Sequence, residues 1–311
     1  LLQARGIGWY VYQEADNDTN NVLPLFSSFN DTTTDLYRRG NSIIPTPAGQ
    51  RYGPALAAKL KTDVLGGNLP QVSWILASTP DCEHPSAAPN YGARFVASIL
   101  DALTADPSVW AKTLLFYTFD ENDGFFDHVV PPTPPQGTAG EYLPAQYVAT
   151  NPSGTLGWSG PVGLSIRVPM IVISPFTRGG FCATQTFDHT SLLLFLEQRF
   201  GVEVPNITAW RRQTVGDLTS AINFAGGVDT SVPMLPDAGA LAAAADSECG
   251  SLPAPVFPAS QTVPTQESGS QRPEPSGRVA PANTPEAPVT PLLLAGGAAA
   301  ALAALASRRT R

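Results

Sequence analysis

Thr113-Leu-Leu-Phe-Tyr-Thr-Phe119 runs directly into Asp120-Glu121-Asn122-Asp123-Gly124-Phe125-Phe126-Asp127-His128. The first part is a continuous apolar and β-prone run, the pattern of a strand covered on both faces. The second part sets four carboxylates and an imidazole within nine residues of that strand's end. Carboxylates beside a buried strand are costly to desolvate unless they bind a cation or carry out chemistry. Asp120 and Glu121 lie where the strand fixes the backbone direction, which makes them the candidate metal ligands. Asp123-Gly124 reads as a tight turn, Phe125-Phe126 as shielding, and His128 as a proton donor to a leaving oxygen. The competing reading of Asp120–His128 is a solvated acidic turn, which has no need of the paired Phe or the His.

Working outward, Gly8-Trp-Tyr-Val-Tyr12 and Val72-Ser-Trp-Ile-Leu-Ala77 read as strands, and Val168-Pro-Met-Ile-Val-Ile173 as another. Between them lie helical patterns. Tyr52 to Leu65 carries Leu56, Leu60 and Val64 at i, i+4, i+8 and stops at Gly66-Gly67. A helix capped by Asn90 would bury Phe95, Val96, Ile99, Leu100 and Leu103 on one face. Thr190 to Phe200 reads as a helix capped by Asp188 or Thr190 and ended by Gly201. Alternating strands and helices of this kind predict an α/β fold with a mainly parallel sheet and helices on both faces.

In such sheets, sites form beyond the carboxyl ends of the strands. Glu83-His84 follows the strand ending at Ala77, Asp120-Glu121 follows Phe119, and Asp188-His189 follows the strand ending near Ile173. The chain has three histidines, His84, His128 and His189, and each directly follows an acid. Convergence of three strand ends on one edge is the argument for a site there. His84 has a second reading as a loop histidine packed by Pro85. His189 has one as part of a helix N-terminus that Asp188 simply caps. Arg211-Arg212 reads either as a phosphate clamp or as a solvated pair near Trp210.

Composition divides the chain. Residues 1–250 mix apolar runs with turn residues as a globular domain does. Residues 251–290 are dense in Pro, Ser, Thr and Gln and read as a linker. Residues 291–311 form an Ala- and Leu-rich uncharged run closed by Ser307-Arg308-Arg309-Thr310-Arg311, and a membrane or envelope anchor and an inert tail are its two readings. With 26 acidic against 18 basic residues the net charge is −8. That balance offers no basic patch for a nucleic-acid backbone. Three scattered cysteines, Cys82, Cys182 and Cys249, exclude a disulfide scaffold and a zinc–thiolate site but allow one disulfide with one free thiol. The chain opens at Leu1-Leu-Gln-Ala-Arg5 without an initiator Met or a basic-then-apolar leader, and reads as starting inside a domain.

Several of these segments together resemble one family. Leu69-Pro-Gln-Val-Ser-Trp74, Glu83-His84-Pro85, Asn90-Tyr91-Gly92-Ala93, Tyr117 through Pro132, Phe187-Asp-His-Thr-Ser191, Pro205 through Arg212 and Gly216-Asp-Leu-Thr-Ser220 are similar to the bacterial phosphoesterase family. That family comprises non-haemolytic, phosphatidylcholine-type phospholipases C and related acid phosphatases, and the similarity runs from about residue 3 to residue 224. The resemblance implies an alkaline-phosphatase-like α/β/α sandwich that cleaves phosphoesters at a divalent metal ion. It implies Asp120 and Glu121 as metal residues and His84, His128 and His189 as catalytic residues near the phosphate. It further implies a phospholipid or small phosphoester substrate and a secreted or cell-envelope location. Family members also carry a Glu-Asn pair and a Ser/Thr nucleophile in an N-terminal half. No Glu-Asn-Arg-Ser-Phe-type motif occurs in these 311 residues. The chain is therefore expected to be a C-terminal portion, inactive alone. An inactive phosphate- or metal-binding fragment of that fold and an envelope-tethered structural protein are the alternatives.

Overall fold

The computed structural model describes residues 1–17, 20–85, 87–122, 129–143, 160–253, 256, 259–260 and 302–307. Its main sheet has five strands in the order β1 (Trp9–Tyr12), β2 (Val72–Leu76), β7 (Leu302–Ser307), β3 (Thr113–Thr118) and β6 (Met170–Ile173). A separate two-stranded ribbon pairs β4 (Tyr142–Leu143) with β5 (Gly160–Pro161).

β1 and β2 run parallel, with Trp9 opposite Val72 and Tyr12 opposite Ile75. β7 is antiparallel to both β2 and β3, so β2 and β3 share a direction. β6 is antiparallel to β3, with Ile173 opposite Leu115 and Met170 opposite Thr118. The sheet is therefore mixed rather than mainly parallel. β1, β2 and β3 point one way as expected, but of the four pairings described within this sheet only β1–β2 is parallel. The return of the chain through β6 and the placement of Leu302–Ser307 between β2 and β3 account for the difference.

The helices follow the apolar spacing. α1 (Asp35–Gly40) is capped by Thr34, whose Oγ1 accepts from Tyr37 N at 3.2 Å. α2 (Pro54–Leu65) buries Leu56, Leu60 and Val64, the expected stripe, and begins with Pro54 where a missing N–H costs nothing. α3 (Pro89–Thr104) buries Phe95, Ile99 and Leu103. Its cap differs from expectation: Ala88 stands at the N-cap without a side-chain bond, and Asn90 lies inside the helix. The Asn90 amide instead donates to Leu241 O at 3.1 Å on α7 (Ala238–Cys249). α4 (Pro107–Trp110) and α6 (Ala209–Thr214) are short, and α5 (His189–Phe200) carries Leu192, Phe195 and Leu196 inward.

Alternation along the strands sends side chains to two cores. Tyr12, Ile75 and Leu115 join α2 and α3 residues on one face. Leu114 and Phe116 meet Leu192 and Phe195 of α5 on the other, where Trp9, Val11, Val72 and Leu76 pack with Leu196. Helices therefore lie on both faces of the sheet, which leaves the strand edges as the exits for polar side chains. All three cysteines are free, Cys82 buried and Cys182 and Cys249 exposed, so the disulfide that their number allowed is not formed. Within the apolar tail, Leu302–Ser307 is a strand. Among the described residues no helix is long and apolar enough to cross a membrane.

Candidate active site

Because β1, β2 and β3 share a direction, their carboxyl ends open on one edge. The residues that follow them are polar. After β1 come Gln13 and Glu14, both buried. Glu14 accepts from Thr46 Oγ1 and Gly53 N, each at 2.6 Å, and so holds two loops together. Asp16 Oδ2 accepts from Thr79 N at 2.8 Å, and Asn17 Nδ2 donates to Ala77 O at 2.6 Å. These bonds tie the loop after β1 to the loop after β2.

The loop after β2 carries Asp81, Cys82, Glu83 and His84. The buried Asp81 carboxylate accepts from Ser78 Oγ at 2.8 Å, Arg51 Nη1 at 3.1 Å and Arg94 Nη2 at 3.3 Å. Glu83 has a left-handed backbone with φ of 63°, unusual for a residue with a Cβ. Its Oε1 accepts from the Tyr117 hydroxyl at 2.9 Å, which links this loop to β3. Burial pushes the Glu83 carboxyl above the usual carboxylate range, and the Tyr117 bond partly offsets that. Burial likewise raises the Cys82 thiol, with the charges of Asp120 and Asp16 adding to it. His84 is half-buried, and its carbonyl accepts from Ala87 N at 2.6 Å.

β3 ends at Thr118, and Asp120 and Glu121 follow it, both half-buried at the carboxyl edge. His189 Nε2 lies 2.9 Å from Asp120 O. A carbonyl can only accept, so Nε2 carries the proton and donates it. His189 is the first residue of α5, and Asp188 is its N-cap, accepting from Thr190 N at 2.8 Å while the Ser191 hydroxyl accepts from Asp188 N at 3.1 Å. The acid caps α5, as one reading of Asp188-His189 has it, and the imidazole reaches the end of β3. The route differs from the one expected. β6 runs against β3, so its own carboxyl end lies at the opposite edge, and the segment between Ile173 and Asp188 carries the chain back. His128 lies outside the described residues.

The sequence model of the Phosphoesterase family matches residues 1–203. The chain belongs to that family. Among curated relatives, the non-hemolytic phospholipase C of Pseudomonas aeruginosa is 45% identical over 281 residues, covering 86% of this chain and 38% of the relative. The non-hemolytic phospholipase C of Burkholderia pseudomallei is 42% identical over 86% of this chain and 41% of its own length. Phospholipase C B of Mycobacterium tuberculosis is 40% identical over 89% of this chain and 54% of its own. This phosphoesterase chain thus spans between about two fifths and about half of these relatives.

The candidate site can be tested for a cation on its donors. Asp120 and Glu121 are hard oxygen donors on a fixed strand end, the chemistry a divalent cation takes. Two carboxylates fill only part of a coordination sphere, and no group of three or more His, Cys, Asp or Glu suited to a metal occurs among the described residues. The structure brings His189 to Asp120, sets Glu83 against β3, and leaves His84 beside Glu83.

Sequence reasoning missed one arrangement. Arg211 is neither a phosphate clamp nor a solvated residue: its side chain is 14% exposed, and it donates from Nε to Glu141 Oε1 at 3.0 Å and from Nη2 to Glu141 Oε2 at 2.6 Å. Nη1 donates to Asp188 Oδ2, and Nη2 also to Gly163 O at 3.1 Å. Burial disfavours the Arg211 charge, but bonds to Glu141 and Asp188 outweigh it and raise its pKa. Arg212 pairs instead with Glu197 at 2.7 Å. The one available signal was Thr208, a helix-capping residue three positions before Arg211, which places that side chain on the first turn of α6.

Proposed function

We propose that this chain forms the carboxyl-edge part of a phospholipase C-type phosphoesterase, acting on phosphatidylcholine or a related phosphoester. The observation that carries the reading is the donation from His189 Nε2 to Asp120 O. It joins a helix N-terminus and a strand end at the polar edge of the sheet, within a chain of the phosphoesterase family whose relatives bear the phospholipase C name.

In this reaction an oxygen nucleophile, supplied by a part of the protein beyond this chain, attacks phosphorus. The bond from phosphorus to the leaving alcohol breaks, and the alcohol oxygen takes up a proton. Asp120 and Glu121 would hold a divalent cation, which when bound offsets negative charge on the phosphoryl oxygens. His189 spends its Nε2 proton on the Asp120 carbonyl and so fixes the backbone from which the Asp120 carboxylate projects. His84 and His128 are the proton donors in this proposal, with the loop of His84 anchored to β3 through Glu83 and Tyr117. The alkaline-phosphatase-like sandwich belongs to the same proposal and is supported by helices on both sheet faces. So does an exported or envelope location, which rests on the Pro-, Ser- and Thr-rich stretch 251–290 and the basic end of the tail.

The test is hydrolysis of phosphatidylcholine and of p-nitrophenyl phosphate by the full-length protein with and without divalent cations. Asp120→Ala is expected to lower kcat about a hundredfold or more. A full rate in that variant would remove Asp120 from the site.

A further inference from the structure

Asp188 meets three demands with one carboxylate. Oδ1 accepts from Thr190 N at 2.8 Å and from Thr190 Oγ1 at 2.6 Å, which caps α5. Oδ2 accepts from Arg211. The other two nitrogens of Arg211 fork onto Glu141, whose residue is 1% exposed and whose Oε1 also accepts from Thr208 Oγ1 at 2.7 Å. A planar guanidinium holding two carboxylates in separate directions fixes both far more narrowly than an ammonium could.

These three residues stand at three places in the fold: Glu141 just before β4, Asp188 at the N-cap of α5, and Arg211 in the first turn of α6. None of them belongs to the hydrophobic clusters. What they share is the position of His189, the residue after Asp188, whose ring reaches Asp120 O. A capped helix N-terminus can still pivot as a rigid unit, and the cap alone does not set the direction in which its first side chain points. A bond from Asp188 to a second, anchored element does.

We infer that Arg211 is a positioning residue: anchored by Glu141, it holds Asp188 and thereby aims His189 at the end of β3. This inference rests on the reading of Asp120 and His189 as part of the phosphoester site. Misplacement of a site group by about 1 Å costs on the order of a hundredfold in rate, so a modest pivot of α5 is enough to register.

The decisive variant is Asp188→Asn in the full-length protein. Asparagine caps as well as aspartate and keeps the Thr190 bond. It leaves the Arg211–Glu141 fork in place and removes the charge that Arg211 grips. Expected are a folded protein, a kcat about tenfold lower with KM held within about twofold, and a crystal structure with His189 Nε2 beyond hydrogen-bond reach of Asp120 O. Arg211→Lys is the companion: it retains charge beside Glu141 and should reproduce the kcat loss, because an ammonium cannot hold both acids. Unchanged kcat in folded Asp188→Asn, or a kcat loss with the His189–Asp120 contact intact, overturns the inference. If the unchanged full-length protein hydrolyses no phosphoester, the proposed function fails, while the crystal structures still decide the positioning role.

Discussion

The Tyr117 hydroxyl donates to Glu83 Oε1 at 2.9 Å across the gap between β3 and the loop after β2. It is the described side-chain bond that fastens the His84 loop to the strand leading to Asp120. Burial raises the pKa of the Tyr117 phenol, and the adjacent Glu83 charge adds to the effect, so the phenol stays protonated and available to donate.

Tyr117→Phe should therefore cost about 1–2 kcal/mol at neutral pH, where the Glu83 carboxylate loses its donor. A carboxyl whose folded pKa is raised favours the folded state while protonated; that contribution is full below the ordinary glutamate range and is lost as pH rises through the raised value. Removing the Tyr117 bond raises the Glu83 pKa further. The stability gap between the two proteins should then widen from acid to neutral pH, as denaturant titrations at a series of pH values would record; a constant gap counts against this account.

Gly92 lies in α3 where a Cβ would overlap the Glu83 carboxylate. Gly92→Ala alone is expected to destabilise by about 1–3 kcal/mol through this overlap. In a Glu83→Ala background the same change should cost nothing or gain up to about 1 kcal/mol, since alanine is the better helix former. Equal effects in both backgrounds, measured by chemical denaturation, would show that the two residues do not meet.

Asp81 is buried with two guanidiniums and the Ser78 hydroxyl on its oxygens. Its loss strands Arg94, whose Nε already has no hydrogen-bond partner among the described residues. Asp81→Ala should lower stability by about 3 kcal/mol, the scale for breaking a buried pair on one side. Arg51→Ala, which removes the more exposed partner and leaves Arg94 in place, should cost clearly less. Unfolding midpoints of the two variants give the comparison.

Cys82 is buried, its thiol is raised by burial, and its Sγ donates to Thr79 O at 3.1 Å. Cys182 and Cys249 are exposed. Alkylation of the native chain near neutral pH should modify the latter two and spare Cys82 until denaturant is added, which peptide mass analysis resolves. Early labelling of Cys82 would mean that the loop holding Glu83 and His84 opens readily.

What the sequence conveyed was local. The Leu56/Leu60/Val64 stripe, the strand before Asp120 and the Asp188 cap each depend on neighbours within a turn or a pleat, and each is present. Strand direction is not local: nothing in Val168–Ile173 says that Met170 will face Thr118 rather than lie alongside in parallel. The Arg211–Glu141 pair joins residues 70 positions apart, so no spacing rule could find it, and a paired Arg-Arg near Trp210 suggested solvent instead. His189 lies beside the end of β3, but the rule that points there from the sequence presumes a parallel strand before it, and β6 is antiparallel to β3. The helix cap and the crossing segment supply what that premise lacked.

The grip of Arg211 on both Glu141 and Gly163 has a consequence for variation in the chain. Both ends of one excursion close on a single guanidinium, and β4 pairs with β5 just inside them. The base is thereby stitched shut, independently of how many residues lie between Leu143 and Gly160. Closing a longer loop on such a base costs only about 0.6 kcal/mol per doubling of length. The seat of His189 is thereby set by the closed base and not by the number of residues between Leu143 and Gly160.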